Sequence, residues 1–398
     1  MNRLYCQTGK LELLQPHELN LKYLLEHTAN ENEQTTKLKY ISSYVVEIKI
    51  LKVNKHRHFP LIVVKDPITK TNKNINDAED HIMIVYNITL EDFVKYQNIE
   101  CEIIRGYKWT DKKDFQIREV IKHIYDLRCE YKKVNNPNEQ VLKLIMNSTY
   151  GKTIQKPIET TMKYLKYKSQ KKNKDGELIE ISPLNNYLIK NSAKVKEIND
   201  ITKNLCQVKE SKQINDYATN VLLGVQILSM SKRIMNEVMT LAEDLDIKIF
   251  YQDTDSMHIE KDKLKLLENE YLKVYNRELI GDKMGQFHND FDEVKDGYTT
   301  ESIFLGKKAY IDILTNDNAD YGIHYRMKGI ILECIKDYAD SNNIEILDVY
   351  KKLLNNESIT FDLLKVKCAF KTDKNRQIRS LKDFKRCVSF KGDFFEIK

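Results

Sequence analysis

A six-residue acidic segment, Tyr251 to Ser256, restricts the fold of this 398-residue chain more than any other feature. It lies between two β-prone runs, residues 247–250 and 257–259, which is the profile of a tight hairpin. In an extended segment, Asp253 and Asp255 would point the same way. Because Mg²⁺ prefers one or two carboxylates completed by substrate phosphates, we predict a metal site at the hairpin tip. The alternative is a purely local turn, since Asp and Thr both favour turns.

A second polar cluster lies upstream, in residues 143–152. Lys143, Asn147 and Tyr150 are spaced at i, i+4 and i+7, so on a helix they form one stripe. A lysine can meet phosphates as a point charge, and a tyrosine can pack against a sugar and a base. The stripe therefore predicts a nucleoside triphosphate site, on a helix that Gly151 is expected to end. The alternative is an amphipathic helix whose Lys143 is solvated and whose Tyr150 is buried.

Together the two clusters resemble the family B DNA polymerases, and within them the protein-primed branch. Asn147 to Gly151 resembles the fingers motif of that family, and Tyr251 to Ser256 resembles its palm metal motif. Lys308-Ala309-Tyr310 is similar to the Lys-x-Tyr element that holds the primer strand. The order and spacing agree from about residue 40 to the end. Weaker matches are Gly106 to Trp109, Lys232 and Lys328-Gly329.

The resemblance implies an α+β fold, in which an antiparallel palm sheet backed by helices carries a helical fingers hairpin, a basic insertion and a small thumb. Helical periodicity in residues 115–131 and 139–150, with Pro137 between them, fits the fingers. The strongest helical pattern covers residues 217–243. The expected segments are 1–114 for an incomplete N-terminal part of the palm, 115–152 for the fingers, 153–214 for the insertion, 215–335 for the palm with the metal hairpin, and 336–398 for the thumb.

The activity that the resemblance implies is that of a DNA-directed DNA polymerase. A nucleotidyl group would pass from a dNTP to a 3′ hydroxyl on template-primer DNA, with two Mg²⁺ ions, or Mn²⁺ in their place. The implied catalytic residues are Asp253, Asp255 and Lys143, and the two aspartates are the implied metal ligands. The implied nucleotide contacts are Lys143, Asn147, Ser148, Tyr150, Gly151 and Thr254. The implied primer and DNA contacts are Lys308, Tyr310, Ser256 and Lys328.

One carboxylate motif of the family is missing from this sequence. The palm motif Asp-x-x-Ser-Leu-Tyr-Pro does not occur in residues 1–140, although Asn2-Arg3-Leu4-Tyr5 resembles its latter part. The acidic motifs of the proofreading exonuclease domain are also missing. We therefore expect the carboxy-terminal portion of a viral, plasmid or transposon polymerase, split or truncated, with little activity alone. A separate N-terminal fragment and a terminal protein primer are the expected partners besides DNA and dNTP.

The composition predicts where the protein is located in the cell and indicates two candidate DNA-binding segments. Seven scattered cysteines without paired spacing indicate free thiols, and no apolar run reaches the ~20 residues of a membrane span, so we expect an intracellular protein without membrane contact. Residues 365–391 hold ten Lys or Arg against two Asp, which suits a phosphate backbone. Residues 163–174 hold six lysines and no acid, with Tyr164 and Tyr167 between them. That strip predicts either stacking on unpaired bases or a solvated loop.

Two other classes of function remain open from the sequence. A metal-dependent nuclease would use the paired carboxylates, but it leaves the Lys143 stripe without a role. A non-catalytic DNA-binding relic or subunit would retain the motifs without the chemistry. Its DNA affinity would depend on salt and not on added dNTP or Mg²⁺.

Overall fold

The computed structural model describes residues 6–7, 10–28, 41–67, 71–110, 113–155, 160–172, 176–212, 220–291, 293–363, 370–372, 378–380, 384–391 and 394–397. The chain divides into two compact units. Unit 1 comprises Met1–Lys55 and Asp77–Arg233, and unit 2 comprises His56–Asn76 and Ile234–Lys398. The sequence motif Asn2 to Tyr5 lies outside the described residues.

The helices and strands alternate along the chain in a mixed pattern. The helices are α1 Leu21–His27, α2 Asn87–Gln97, α3 Gln116–Lys133, α4 Asn138–Thr153, α5 Pro183–Asn191, α6 Val221–Asp244, α7 Leu264–Tyr275, α8 Leu332–Ser341 and α9 Ile346–Leu354. The strands are β1 Cys6–Gln7, β2 Lys10–Leu13, β3 Ile41–Val53, β4 Ile62–Lys65, β5 Asn72–Ile75, β6 Ile82–Tyr86, β7 Ile99–Thr110, β8 Lys113–Asp114, β9 Thr160–Lys166, β10 Ser169–Lys172, β11 Leu178–Ile181, β12 Val195–Thr202, β13 Leu205–Ser211, β14 Ile249–Asp253, β15 Ser256–Ile259, β16 Tyr298–Gly306, β17 Ala309–Thr315, β18 Tyr321–Met327, β19 Ser358–Asp362, β20 Phe370–Thr372, β21 Ile378–Ser380, β22 Lys385–Lys391 and β23 Phe394–Ile397.

Unit 1 is built on an antiparallel sheet with the strand order β2-β7-β3-β6. Val46, Ile48 and Ile50 alternate along β3 and are buried, and α2 packs on the same sheet. This period of two directs one face of the strand to the core. Arg233 of α6 donates to Asp92 of α2 at 2.6 Å, which fixes the start of α6 to this unit.

The predicted helical hairpin is present as α3 and α4, which pack against each other. Arg128 of α3 pairs with Glu139 of α4 at 2.7 Å across the short connection. However, α4 continues through Gly151 to Thr153, so the predicted helix end was too early by about two residues. A glycine favours a helix end only where the backbone adopts positive φ, and Gly151 keeps the helical conformation.

The basic insertion has more regular structure than its sequence suggested. Strands β12, β13 and β9 form an antiparallel sheet in that order, and β10 and β11 form a separate hairpin. Cys206 and Val208 of β13 are buried with Leu184 of α5. In the lysine-rich strip, Lys163 lies 3.5 Å from Glu210 and donates to the Tyr187 hydroxyl at 2.7 Å. This lysine charge is therefore partly neutralised within unit 1.

Unit 2 combines the acidic hairpin β14–β15 with two three-stranded antiparallel sheets, β16-β17-β18 and β19-β22-β23. Its core includes Tyr350 and Phe361, which are fully buried between α8, α9 and these sheets. Burial of such side chains contributes about 1.5–3 kcal/mol each. The expected α+β class with antiparallel sheets is confirmed. The named domain boundaries stay predictions.

Residues 56–76 belong to unit 2 although they lie between strands of unit 1 in sequence. Within this segment, β5 pairs with β4 in an antiparallel hairpin. Arg57, only 2% exposed, forms a two-pronged ion pair with Asp244 at the end of α6, at 2.6 and 3.2 Å. Within the described residues, no helix has the length and apolar character that crossing a bilayer requires.

Candidate functional site

The acidic hairpin has the predicted form. Strands β14 and β15 pair antiparallel with Asp253 opposite Ser256, which leaves Thr254 and Asp255 as a two-residue connection. The Ser256 hydroxyl donates to the Asp253 carbonyl at 3.1 Å. The Thr254 hydroxyl donates to Asp253 Oδ1 at 3.0 Å. Both hydroxyls therefore stabilise the turn that carries the two carboxylates.

The tip is not extended, and our argument that the two carboxylates point the same way does not apply. Thr254 has a φ of +54°, and the Asp255 amide donates to the Asp253 carbonyl at 2.6 Å. A hydrogen bond over three residues with positive φ at the centre is the pattern of a classic γ-turn, which is rare and strained. A β-branched residue at positive φ is an outlier of the kind found at functional sites.

Asp253 is held in its charged form by a lysine from the adjacent sheet. Burial alone would raise its pKa, but the hydrogen bonds from Lys308 and Thr254 outweigh burial and lower that pKa overall. Lys308 Nζ donates to Asp253 Oδ2 at 2.7 Å. The hydrogen bond to Asp253 correspondingly raises the pKa of Lys308. The structure therefore brings together two residues that the sequence assigned to different elements.

Lys308 lies in the tight turn between β16 and β17. Its amide donates to the Tyr251 hydroxyl at 2.8 Å, and its carbonyl accepts from the Lys328 amide at 2.8 Å. Tyr310 follows on β17, with its ring centroid 5.0 Å from that of Tyr251. Burial raises the pKa of Tyr310 to about 12. Lys308, Tyr310 and the Lys328 backbone therefore lie beside the hairpin, within unit 2.

A buried polar network beneath the hairpin was missed by the sequence reasoning. His258 Nε2 lies 3.1 Å from Asp312 Oδ2, and the Ser302 hydroxyl donates to Asp312 Oδ1 at 2.7 Å. Nearby, His324 Nδ1 lies 2.8 Å from Glu293 Oε1. One signal was visible: Asp312 stands between two isoleucines in an otherwise apolar strand, where a carboxylate is costly unless it is paired.

The predicted nucleotide stripe lies on α4, in unit 1. Lys143, Asn147 and Tyr150 are all exposed, and so are Leu144 and Ile145 on other sides of α4. Ser148 is exposed as well. Tyr150 is 39% exposed, so the alternative of a core tyrosine does not describe it. The stripe is therefore available to a ligand from the solvent side of unit 1.

The donor set of the hairpin fits a divalent ion that phosphates and water complete. Asp255 is exposed, and its carboxylate makes no hydrogen bond or ion pair with any residue that the structure describes. Asp253 Oδ1 accepts from the Thr254 hydroxyl and Oδ2 accepts from Lys308, and a carboxylate oxygen has a second lone pair for an ion. In the described part of the chain, no group of three or more His, Cys, Asp or Glu is arranged to hold an ion. Two carboxylates without such a cage match the preference of Mg²⁺ in phosphate sites.

Comparisons with known proteins extend over both units. A DNA polymerase of Kluyveromyces lactis is 27% identical over 250 residues, which cover 62% of this chain and 21% of that sequence. Phi29 DNA polymerase complexed with primer-template DNA has a TM-score of 0.50 at 14% identity, covering 87% of this chain and 50% of that one. An orthorhombic crystal form of Phi29 DNA polymerase gives a TM-score of 0.49 at 17% identity, covering 88% of this chain and 51% of that one.

This chain therefore spans about a fifth of the curated relative and half of the structural one. The likeness of fold to Phi29 DNA polymerase in its primer-template complex agrees with the palm, fingers and thumb architecture that the sequence suggested. The family model described as DNA polymerase type B, organellar and viral, matches residues 15–245, more than half of the chain. The chain belongs to the organellar and viral type B DNA polymerases.

Proposed function

We propose that this chain performs the nucleotidyl-transfer step of a DNA-templated DNA polymerase. A dNTP would be the nucleotide donor, a primer 3′ hydroxyl the acceptor, and pyrophosphate the leaving group. The observation that carries the proposal is the contact of Lys308 with Asp253 in a chain of this family. That contact joins a carboxylate able to hold a metal to a cation suited to a nucleic-acid phosphate. Template-primer DNA, as in the Phi29 complex, is the proposed partner.

In the proposed site, Asp255 and Asp253 are the metal ligands. Mg²⁺ bound there would activate the attacking oxygen and stabilise the leaving one, and Mn²⁺ would serve as a substitute. Next to the nucleotide and the primer, the Thr254 hydroxyl donates to the Asp253 carboxylate and the Ser256 hydroxyl donates to the Asp253 carbonyl. Lys308, Tyr310 and Lys328 hold the primer end. Lys308 also keeps Asp253 ionised, which its lowered pKa supports.

The proposed triphosphate contacts come from the exposed stripe of α4. Lys143 neutralises charge that develops on the phosphates, and Tyr150 packs against the incoming sugar. Asn147 and Ser148 lie on the same helix near the base and sugar, and Gly151 lets the nucleotide approach the backbone. A Cβ at Gly151 would meet nothing within 4 Å, so this position has open space around it.

The test is single-nucleotide primer extension by the purified chain with Mg²⁺ or Mn²⁺, alongside binding of a fluorescent dNTP. Lys143→Ala should lower the rate by about 10² to 10³, the usual cost of one electrostatic contact to a transition state. Asp255→Ala should abolish extension. Lys122→Ala on the neighbouring helix α3 removes an exposed lysine outside the stripe and serves as the matched control.

We expect the chain alone to extend primers weakly or not at all, because the palm motif Asp-x-x-Ser-Leu-Tyr-Pro, which supplies a further metal carboxylate, does not occur in residues 1–140. Binding of dNTP with Mn²⁺ then decides the proposal: it should weaken in Lys143→Ala and Asp255→Ala and not in Lys122→Ala. Equal binding by all of the variants would contradict the proposal. DNA cleavage without dNTP would favour a nuclease, and salt-dependent DNA affinity indifferent to dNTP and metal would favour a DNA-binding relic. Rapid primer extension by the chain alone would contradict the expectation that it has little activity.

A further inference from the structure

Asp312 is a carboxylate buried in the middle of the sheet β16-β17-β18. Its exposure is zero, and it lies opposite Ser302, whose hydroxyl donates to its Oδ1 at 2.7 Å. Its Oδ2 lies 3.1 Å from His258 Nε2, on the acidic hairpin. Burying a charge costs several kcal/mol unless it is paired and hydrogen-bonded. Asp312 therefore belongs to a built contact between this sheet and the hairpin.

The partners of the His258 ring determine which nitrogen carries the proton. Nε2 faces Asp312, whereas Nδ1 is buried and has no partner among the described residues. The ring packs edge-on against Phe304 and Tyr310, at 5.3 and 5.6 Å between centroids. A proton on Nδ1 would leave a buried donor unsatisfied. These contacts fit a neutral His258 ring that carries its proton on Nε2 and donates it to Asp312.

His258 is also the cross-strand neighbour of Tyr251 in the hairpin. The Tyr251 ring stacks on Phe304 of the sheet, with centroids 5.1 Å apart and planes at 7°. Its hydroxyl accepts from the Lys308 amide, and Lys308 Nζ donates to Asp253. The hairpin is thus fixed to the sheet at its base by His258 and near its tip by the exposed Lys308 ion pair. The base contact is the one protected from water.

We infer that His258 and Asp312 are a positioning pair, which sets the acidic hairpin on the sheet so that Asp253 meets Lys308. The pair touches neither nucleotide nor DNA in the proposed reaction, and it acts through the hairpin. The inference rests on the proposed function only where it concerns the metal. The anchoring of the hairpin is a property of the chain without ligands.

The experiment compares two substitutions of His258 in the full chain. His258→Gln keeps an N–H donor for Asp312, whereas His258→Phe keeps the ring volume and loses the donor. His288→Phe is the matched control, because His288 is exposed in the same unit. Hydrogen exchange of the hairpin amides, residues 249–259, is measured without metal or nucleotide. Mn²⁺ binding is measured in parallel by electron paramagnetic resonance.

We expect hairpin exchange to quicken about tenfold in His258→Phe, the cost of one hydrogen bond to a charged group, and to stay near the native rate in the other two variants. Mn²⁺ binding should weaken in the same order. Native exchange in His258→Phe would overturn the inference. Absence of Mn²⁺ binding by the native chain would instead count against the proposed function, while the exchange result would still decide the positioning pair.

Asp312→Asn provides a second route if His258→Phe does not fold. The amide oxygen of asparagine can still accept from Nε2, but the bond loses the carboxylate charge, so the hairpin amides should exchange faster than in the native chain. Hydrogen exchange of residues 249–259 measures this change. Native exchange rates in Asp312→Asn would contradict the pairing.

Discussion

Lys308→Met separates the two roles that the Lys308 ammonium plays beside the acidic hairpin. The ammonium lies 2.7 Å from Asp253 Oδ2, with the lysine side chain 52% and the aspartate side chain 14% exposed. Because the lysine is largely solvated, the ion pair contributes about 1 kcal/mol or less to stability. Methionine keeps most of the side-chain length and removes the charge, so the fold should persist.

The same substitution should strengthen binding of a divalent ion. A divalent ion about 4 Å from the Lys308 ammonium would be repelled by on the order of 2 kcal/mol in water, and salt reduces this repulsion. Since Lys308 also occupies Asp253 Oδ2, its removal frees an oxygen for the ion. We expect Mn²⁺ to bind about tenfold more tightly to Lys308→Met, which corresponds to about 1.4 kcal/mol. Primer extension should fall, because the primer contact is lost.

The assay is a Mn²⁺ titration followed by electron paramagnetic resonance at low salt and neutral pH. Lys307→Met is the matched control, because Lys307 is the exposed neighbour and influences Asp253 only through its charge. Its effect should be smaller than that of Lys308→Met. Asp253→Asn should weaken binding. Weaker or equal Mn²⁺ binding by Lys308→Met, relative to Lys307→Met, would refute Asp253 as a ligand.

Three further predictions concern stability and ionisation. Arg57→Leu should lower the free energy of unfolding by about 2 kcal/mol, measured in urea, because Asp244 loses both hydrogen bonds from the buried guanidinium; an unchanged midpoint would contradict this. Gly224→Ala should destabilise α6, because the added Cβ would lie 2.0 Å from the Ile154 Cγ2 atom. Gly151→Ala should stabilise α4 by about 0.5–1 kcal/mol, because the added Cβ would meet nothing within 4 Å. Thermal unfolding measures the sign of both changes. Burial raises the pKa of Tyr310 to about 12, so its contribution to stability should be full below about pH 10 and lost as pH rises through 12. The absorbance change near pH 12 should be smaller in Tyr310→Phe than in the native chain, and an equal change would contradict this.

Local pattern was sufficient for much of the secondary structure. The alternation in β3, the helical spacing of α3, α4 and α6, and the turn residues of the acidic hairpin all predicted the elements that form. Each of these signals is contained within one element, because side-chain direction repeats every two residues in a strand and about every 3.6 in a helix. The position of the Lys143 stripe on one exposed helix face follows from the same spacing.

The insertion shows where such a pattern fails. Along β13, buried residues alternate with half-exposed ones, but one of the buried positions is Glu210. A glutamate at a core position breaks the apolar period in the sequence, and its pairing with Lys163 becomes visible only in the folded sheet. The sheet was therefore missed although its residues alternate correctly.

By itself, the sequence determined the elements with a clear apolar period, and which side chains are chemically able to hold a metal or a triphosphate. Tertiary structure alone decided that Lys308 reaches Asp253, 55 residues away, and that His258 meets Asp312, 54 residues away. It also decided that Arg57 closes on Asp244 across 187 residues. Such contacts form because buried charges must find partners wherever packing brings them, and no local periodicity encodes that choice.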